Sequence, residues 1–465
     1  MRDSAGLAPD FPTLSRGYAP RHQGNGTWLW ALAGLEERLR PPGAKGKGLT
    51  PREGRALLSP ENELKGWGVR KGDTQEIRRL NRRAILGHLR RAPLTRADLS
   101  RLTGLAKSAV SRLVDELLQE GLLEEGASTS PPLGRPGTLL HLRPRARFAL
   151  GAELGVEGTV LLALDWRGEV LWAREWRHDP HAGPEERLDR LRQEVLPQAS
   201  GALGLGFTLP GVVVGDRLLL APNLGWRDLD LRPLLSGFPL AVALENDAKA
   251  SALSEVFFHG EANLAYVVLS TGLGVGVVAE GRLLRGANGA AGELGHWLGP
   301  GGRACACGRV GCLETALGLG TLLAHHRALG GRAEDLEDLL RQAREGEALA
   351  LEAIRHLGEG LGRFLANLAV AYDPALVVVG GKAAEFFPFL EASLRQSLEA
   401  HAFVEAHRAL PVRPSVYGHL APAVGGASLF LARFFELGGL WAESPRRNGG
   451  RYEEMALGNR RGPGA

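Results

Sequence analysis

Residues Gly292–Glu314 read GELGHWLGPGGRACACGRVGCLE, and this stretch holds every cysteine of a 465-residue chain. Cys305, Cys307 and Cys312 fall close together, with His296 shortly before them. One imidazole nitrogen and three thiolates make a Cys₃His donor set, which suits a tetrahedral zinc ion. Four protein ligands leave no open coordination position, so the expected role of the metal is structural. Gly308 and Gly311 let the backbone fold back between the ligands. An odd, clustered cysteine count is not a disulfide framework. The competing reading is three buried or redox-active thiols; the compact spacing and the lack of cysteine elsewhere weigh against it.

Outward from this stretch, the composition is that of a large-cored globular protein, 44% hydrophobic and 23% charged. No apolar run is long enough for a membrane span. The segment WLWALAGL, Trp28–Leu35, lacks the features of an anchor or a signal peptide. The cytoplasm is therefore expected. The net charge of +4 is unevenly spread: Val69–Leu142 carries 13 Lys/Arg against 8 Asp/Glu, whereas the chain beyond Leu142 is net acidic. A compact basic segment on an acidic body points to a polyanion-binding module. Residues 1–68 are Gly-, Pro- and Arg-rich with patchy periodicity, and are expected to be a disordered extension or a mis-assigned start. Residues 444–465 are expected to be a flexible tail.

Within the basic segment, Ile85, Leu86 and Leu89 mark one face of a first helix. Thr95 and Asp98 form a capping signature ahead of Leu99 and Leu102. Thr103-Gly104 makes a turn into a helix that points Val110, Leu113, Val114, Leu117 and Leu118 inward, and Gly121 ends it. LLEEGASTSPPLGRPGTLLHL follows as a two-stranded wing. Together these form a winged helix-turn-helix, expected over residues 69–143, whose second helix enters the major groove of DNA. Its outward Lys107, Ser108, Ser111 and Arg112 are the expected phosphate and base contacts. Arg82 adds a backbone contact, together with Gln75, Arg78 and Arg83. Arg135, between Gly134 and Pro136, suits insertion into a narrow minor groove. A small helical bundle with a solvated charged face is the plainer alternative, and Ala106 is a weakness, because a side-chain cap belongs there.

From Phe148, short apolar runs alternate with helical stretches, which predicts an α/β body with mixed sheets. Asn246-Asp247 closes one run; an adjacent amide and carboxylate suit a polyol, although such a pair is often only a helix cap. In a kinase that aspartate would be the general base. Glu293, His296 and Glu314 add further groups able to read hydroxyls.

At this point the chain resembles the ROK family of repressors and sugar kinases. GFTLPGVV, APNLGWRDLDL, ENDAKASALSE, STGLGVGVV, the cysteine stretch, DPALVVVGG and APAVGGASLF stand in the family's order across roughly residues 74–435. The winged helix resembles the repressor branch, with the xylose and N-acetylglucosamine repressors. The resemblance implies a two-lobed actin/hexokinase-like, ribonuclease H-like fold. Its first lobe would span 144–258, completed by about 425–440, and its second 259–424 with the zinc. It also implies sugar contacts at Asn223, Asn246, Asp247, Glu293, His296 and Glu314, and through the backbone of Gly211.

The phosphate-binding turn separates repressor from kinase. The kinases of the family carry Asp-x-Gly-Gly-Thr, where this chain has Glu153-Leu154-Gly155-Val156-Glu157. Valine blocks close backbone approach, and Glu157 repels a polyphosphate. Thr271–Gly274 and Gly380-Gly381 survive from the other phosphate motifs. The expected function is thus a sugar-responsive repressor of carbohydrate genes, with a xylose- or glucose-type effector, lost kinase activity and Asp247 as a vestigial base. It would bind operator DNA as a homodimer or tetramer, without membrane insertion. The alternatives are a DNA-binding sugar kinase and a repressor governed by a protein partner with a vestigial sugar site.

Overall fold

The computed structural model describes residues 74–129, 137–179, 182–299 and 302–435. These belong to one unit that starts at Thr74. The extension 1–68, the tail 444–465 and the wing-tip Arg135 lie outside the described residues.

The described residues open with helices α1 (Thr74–Arg91), α2 (Arg96–Thr103) and α3 (Lys107–Gln119), then the wing strands β2 (Leu123–Thr129) and β3 (Gly137–Leu142). A two-residue strand β1, Leu94–Thr95, completes a three-stranded sheet of order β1-β3-β2. The start of α2 is set locally. Thr95 accepts from the Asp98 backbone N–H, the Asp98 carboxylate reaches back to the Thr95 N–H, and Gly104 stops the helix in the left-handed region. Helix α3 starts at Ala106 with no side-chain cap; it is held by the burial of Val110, Leu113, Val114 and Leu117. Leu102, grouped with Leu99 by periodicity, instead faces solvent at 47% exposure.

Two five-stranded sheets follow. The first has the order β11-β7-β4-β5-β6, with β5 at Gly158–Asp165 and β6 at Val170–Arg177, and the second β14-β13-β12-β15-β16, with β14 at Arg282–Leu283. In the first, β4 (Phe148–Leu154), β7 (Ala202–Leu209) and β11 (Val242–Asn246) run parallel, so their carboxyl ends lie side by side. In the second, β12 (Leu264–Leu269) is buried throughout between antiparallel β13 (Leu273–Ala279) and parallel β15 (Leu376–Gly380), as its unbroken apolar sequence requires. β16 (Val412–Pro414) ends that sheet. A small antiparallel sheet, β8 (Val212–Val214), β9 (Arg217–Ala221) and β10 (Trp226–Asp230), extends from the first lobe.

Among the helices of the body, two matter most for function: Asp247–His259 and the terminal Ala421–Phe434. With Pro184–Val195 as α4, the first of these is α5; Leu319–Ala328, Leu336–Arg344, Ala348–Tyr372 and Ala383–His401 are α6 to α9, and the terminal helix is α10. α10 lies against the first sheet at backbone distance. A Cβ on Gly151 of β4 would run into the Ala423 carbonyl, and one on Gly206 of β7 into the Gly426 carbonyl. Gly151, Gly206 and Gly426 thus serve this close approach.

The winged helix does not have a core of its own. Ile85, Leu86, Leu89 and Leu99 belong to one continuous apolar cluster with Leu164, Trp166, Phe257 and Phe435 of the body. Trp166 also donates its Nε1–H to the Arg143 carbonyl at 3.0 Å.

Candidate effector cleft, metal site and DNA interface

The cleft forms at the carboxyl ends of β4, β7 and β11. Asn246 occupies the N-cap of α5, where its Oδ1 accepts from the Lys249 backbone N–H at 3.0 Å and its amide donates to the Gly211 carbonyl at 3.0 Å. Both ends of this side chain are therefore engaged by the protein, and the Gly211 carbonyl is occupied as well. Each keeps capacity for one further partner. Asp247 follows, with Oδ1 accepting from the Ala248 N–H at 2.7 Å.

Two loops complete the wall. A side chain on Gly272 would meet Asn223 Nδ2 at 2.9 Å and Glu314 Oε2 at 3.0 Å, and one on Gly274 would lie 3.8 Å from Asp247 Oδ1. The start of β13 therefore gathers Asn223, Glu314 and Asp247 from three distant parts of the chain. Only glycine at 272 leaves that room.

Lys249 was not among the residues singled out from sequence. Its side chain is 2% exposed, its Nζ donates to the Gly289 carbonyl at 2.9 Å, and it lies 3.8 Å from Glu293 Oε1. It is a buried cation in an acidic site. Burial raises the Glu293 carboxyl, with Lys249 the chief influence opposing it. Burial likewise pushes Asp247 up to about 7, with Glu293 adding to the rise. Glu153, at the end of β4, is pushed up to about 8 by burial and by the Asp247 and Glu175 carboxylates. The cleft thus carries carboxyl groups raised above the ordinary carboxylate range by burial, and a protonated carboxyl can donate to a hydroxyl as well as accept from it.

Below Glu314 lies the cysteine loop. His296 closes a short helical turn, Leu294–His296. The loop doubles back through isolated bridges Leu298↔Cys312 and Ala304↔Val310, with Gly308 and Gly311 in the left-handed region. The ligand atoms of His296, Cys305, Cys307 and Cys312 all lie within 4.8 Å of one another. Cys305 Sγ to His296 Nδ1 and Cys307 Sγ to Cys312 Sγ both measure 3.7 Å. A tetrahedron with metal–sulfur bonds of about 2.3 Å and a metal–nitrogen bond of about 2.0 Å has edges of roughly 3.5–3.8 Å. Those two edges match a zinc tetrahedron, and the four residues form a group that could hold such a metal. Glu314 Oε1 stands 3.0 Å from Cys305 Sγ and 3.9 Å from His296 Nδ1, so the cysteine loop and the cleft share a wall.

In the DNA-binding elements, Lys107, Ser108 and Arg112 are exposed and Ser111 is half-buried, all on α3. Arg82 is tied down: its guanidinium pairs with Glu120 and lies 3.7 Å from Glu116, and Arg78 pairs with Glu116 at 2.8 Å. These arginines clamp α1 to α3, and a phosphate would have to compete with carboxylates for them.

The family model described as the ROK family matches residues 149–433. The chain belongs to the ROK family. A second model, the MarR family, matches residues 80–130, which supports the winged-helix reading of this ROK protein. The xylose repressor of Bacillus subtilis (strain 168) is 29% identical over 381 residues, covering 78% of this chain and 98% of the relative. A ROK family transcriptional regulator described as a homolog of E. coli MLC protein has a TM-score of 0.63 at 25% identity, over 78% of this chain and 98% of its own. A ROK family glucokinase from Streptomyces griseus, in complex with glucose and AMPPNP, has a TM-score of 0.56 at 27% identity, over 61% of this chain and 98% of its own. The regulators align through the winged helix as well as the body. The fold is thus a winged helix joined to an actin/hexokinase-like body. Among the described residues, no helix is long and apolar enough to cross a membrane.

Proposed function

We propose that this ROK protein is a sugar-responsive transcriptional repressor of carbohydrate genes. The observation that carries the reading is the shared apolar core between the winged helix and the lobe bearing the cleft. The match to a xylose repressor along 98% of its length supports it. The α3 residues Lys107, Ser108, Ser111 and Arg112, and Arg135 on the wing, would contact operator DNA, one winged helix of an oligomer per half-site. Arg82 is a lesser candidate because of its pairing with Glu120. Asn223, Asn246, Asp247, Glu293, His296 and Glu314 would hold a neutral, xylose- or glucose-type sugar, with Lys249 fixing Glu293. A protein that binds chromosomal operators acts in the cytoplasm.

Zinc would be held by His296 through Nδ1 and by the three thiolates, closing the loop that carries Glu314. The other ring nitrogen of His296 is then left for a sugar hydroxyl. Kinase activity is proposed to be lost. The turn after β4 is closed by a Gly155 N–H to Gly158 carbonyl bond at 2.8 Å, and it presents the exposed Glu157 where polyphosphate would lie. Sugar and DNA then compete by linkage: an effector that weakens operator binding is weakened by the operator to the same factor.

Calorimetry with D-xylose, D-glucose and N-acetylglucosamine, followed by operator binding with and without the sugar that binds, tests this. Binding of one sugar together with a change in operator affinity is expected; equal operator affinity with and without saturating sugar refutes it.

A further inference from the structure

Helix α5 has the proposed effector site at one end and the DNA-binding elements at the other. Its first turn carries Asp247 and Lys249. The helix is thirteen residues long, and at a rise of about 1.5 Å per residue its last residue lies roughly 18 Å from its first. There, three residues, Glu255, Phe257 and Phe258, contact three different parts of the molecule. Glu255, fully buried, pairs with Arg413 of β16 at 2.6 Å, a contact to the second lobe. Phe258 lies 6.1 Å from Tyr417, on the segment by which the chain returns from the second lobe to the first. Tyr417 in turn donates its hydroxyl to the Gly168 carbonyl of the first lobe at 3.2 Å. Phe257 points the other way: the Arg90 guanidinium, from the last turn of α1, sits 4.3 Å over its ring and donates to its carbonyl. Phe435 closes the far side, 6.0 Å from the Phe257 ring and 5.7 Å from Arg90.

We infer that Arg90 and Phe257 form the joint through which movement between the lobes reaches the DNA-binding helices. The contact combines a cation over an aromatic face with a charge-assisted hydrogen bond to the carbonyl of the same residue. Such an arrangement resists both sliding and rotation of α1 relative to α5. Glu255 ties the same turn to the lobe that would move when the cleft closes, and Phe258 ties it to the segment that leads back from that lobe. Arg90 is a positioning residue acting through α5. The inference rests on the effector reading above.

The test uses the full chain and a DNA fragment selected on the wild-type protein. Operator affinity is measured without sugar, with saturating D-xylose and with saturating D-glucose, for wild type, Arg90→Met, Arg90→Lys and Phe257→Leu. Wild-type affinity should change by about tenfold or more with the cognate sugar. In Arg90→Met and Phe257→Leu the ratio should collapse to about one to three, with sugar affinity in the absence of DNA unchanged. Arg90→Lys, which keeps the charge and the donor but not the planar stack, should recover part of the response. Arg90→Met and Phe257→Leu variants that respond as strongly as wild type overturn the joint. A wild type whose operator affinity ignores both sugars overturns the effector reading itself, and the inference with it.

Discussion

Replacing Lys249 by methionine keeps an unbranched side chain of similar length but removes a charge that is 2% exposed. The Gly289 carbonyl loses its donor, and Glu293 loses the cation 3.8 Å away. A buried acceptor left unpaired costs about 1–3 kcal/mol. Stranding one member of a buried ion pair costs up to about 3–5 kcal/mol. The ion-pair separation is long, and Glu293 can neutralise itself by taking a proton, so a total near the lower end is expected, about 2–3 kcal/mol. Glu293 then rises further above the ordinary carboxylate range, because Lys249 is the chief influence holding it down. Hydrogen bonds to a charged group are worth about 1.5–3 kcal/mol, so sugar affinity at neutral pH should fall about tenfold or more. The deficit should shrink as rising pH ionises Glu293. Urea unfolding, calorimetry from about pH 6 to pH 9 and metal analysis read the three parts separately, with zinc content expected to stay at the wild-type level. A variant with the wild-type urea midpoint and unchanged sugar affinity across that range would refute the reasoning.

Cys305→Ser should lose stoichiometric zinc, sugar binding and about several kcal/mol of stability together; metal analysis and calorimetry check it, and loss of zinc with a normal sugar response breaks the proposed link. Asp247 sits near 7 when folded and near 3.9 when unfolded, so the folded state holds a proton that the unfolded state lacks between those values. Sugar-free stability from this group is therefore present below about pH 4 and is lost as pH rises to about 7. Asp247→Asn should be the more stable protein at about pH 8, by up to about 4 kcal/mol, with the gain vanishing near pH 4 in urea titrations. Arg112→Ala should weaken operator binding and reduce the salt slope by about one, with sugar binding intact; loss of both would mean misfolding. A coupled assay should find no sugar-dependent ATP hydrolysis above background, and clear turnover would restore the kinase reading.

Much of this was legible from sequence because the signals are local. The Thr95–Asp98 capping box, the glycine turn at 104 and the cysteine spacing each involve residues close in the chain, and each took the expected form. The fully buried β12 and the long helix Ala348–Tyr372 announced themselves by composition. Arg82 shows where charge reading stops: its partner Glu120 is 38 residues away, and a count of basic residues cannot tell a solvent-facing arginine from a clamp. Lys249 was missed for a related reason. ENDAKASALSE reads as a capped helix with a polar face, yet Ala248 to Glu255 are all buried, because β13 approaches at Gly276 and α10 at Gly425. A helix of small residues with no clear apolar stripe is a sign of burial on all sides. In such a helix every lysine and glutamate must find a partner, and that was the signal available. The dual use of Asn246, as cap and as anchor of the Gly211 loop, combines the two readings the sequence left open.

The continuous core between the winged helix and the body bears on how such a regulator can be re-engineered or recombined. A reading head on a loose tether can be exchanged like a cassette. Here a cut between Leu142 and Phe148 would strand Trp166 and Phe257 on one fragment and Leu89 and Leu99 on the other. A chimera with new operator preference must therefore bring matching surfaces for those residues, or confine its changes to the exposed positions of α3. By the same logic, duplicated genes descending from this one would diverge most readily at Lys107, Ser108 and Arg112, while the seam keeps both halves of the molecule evolving in step.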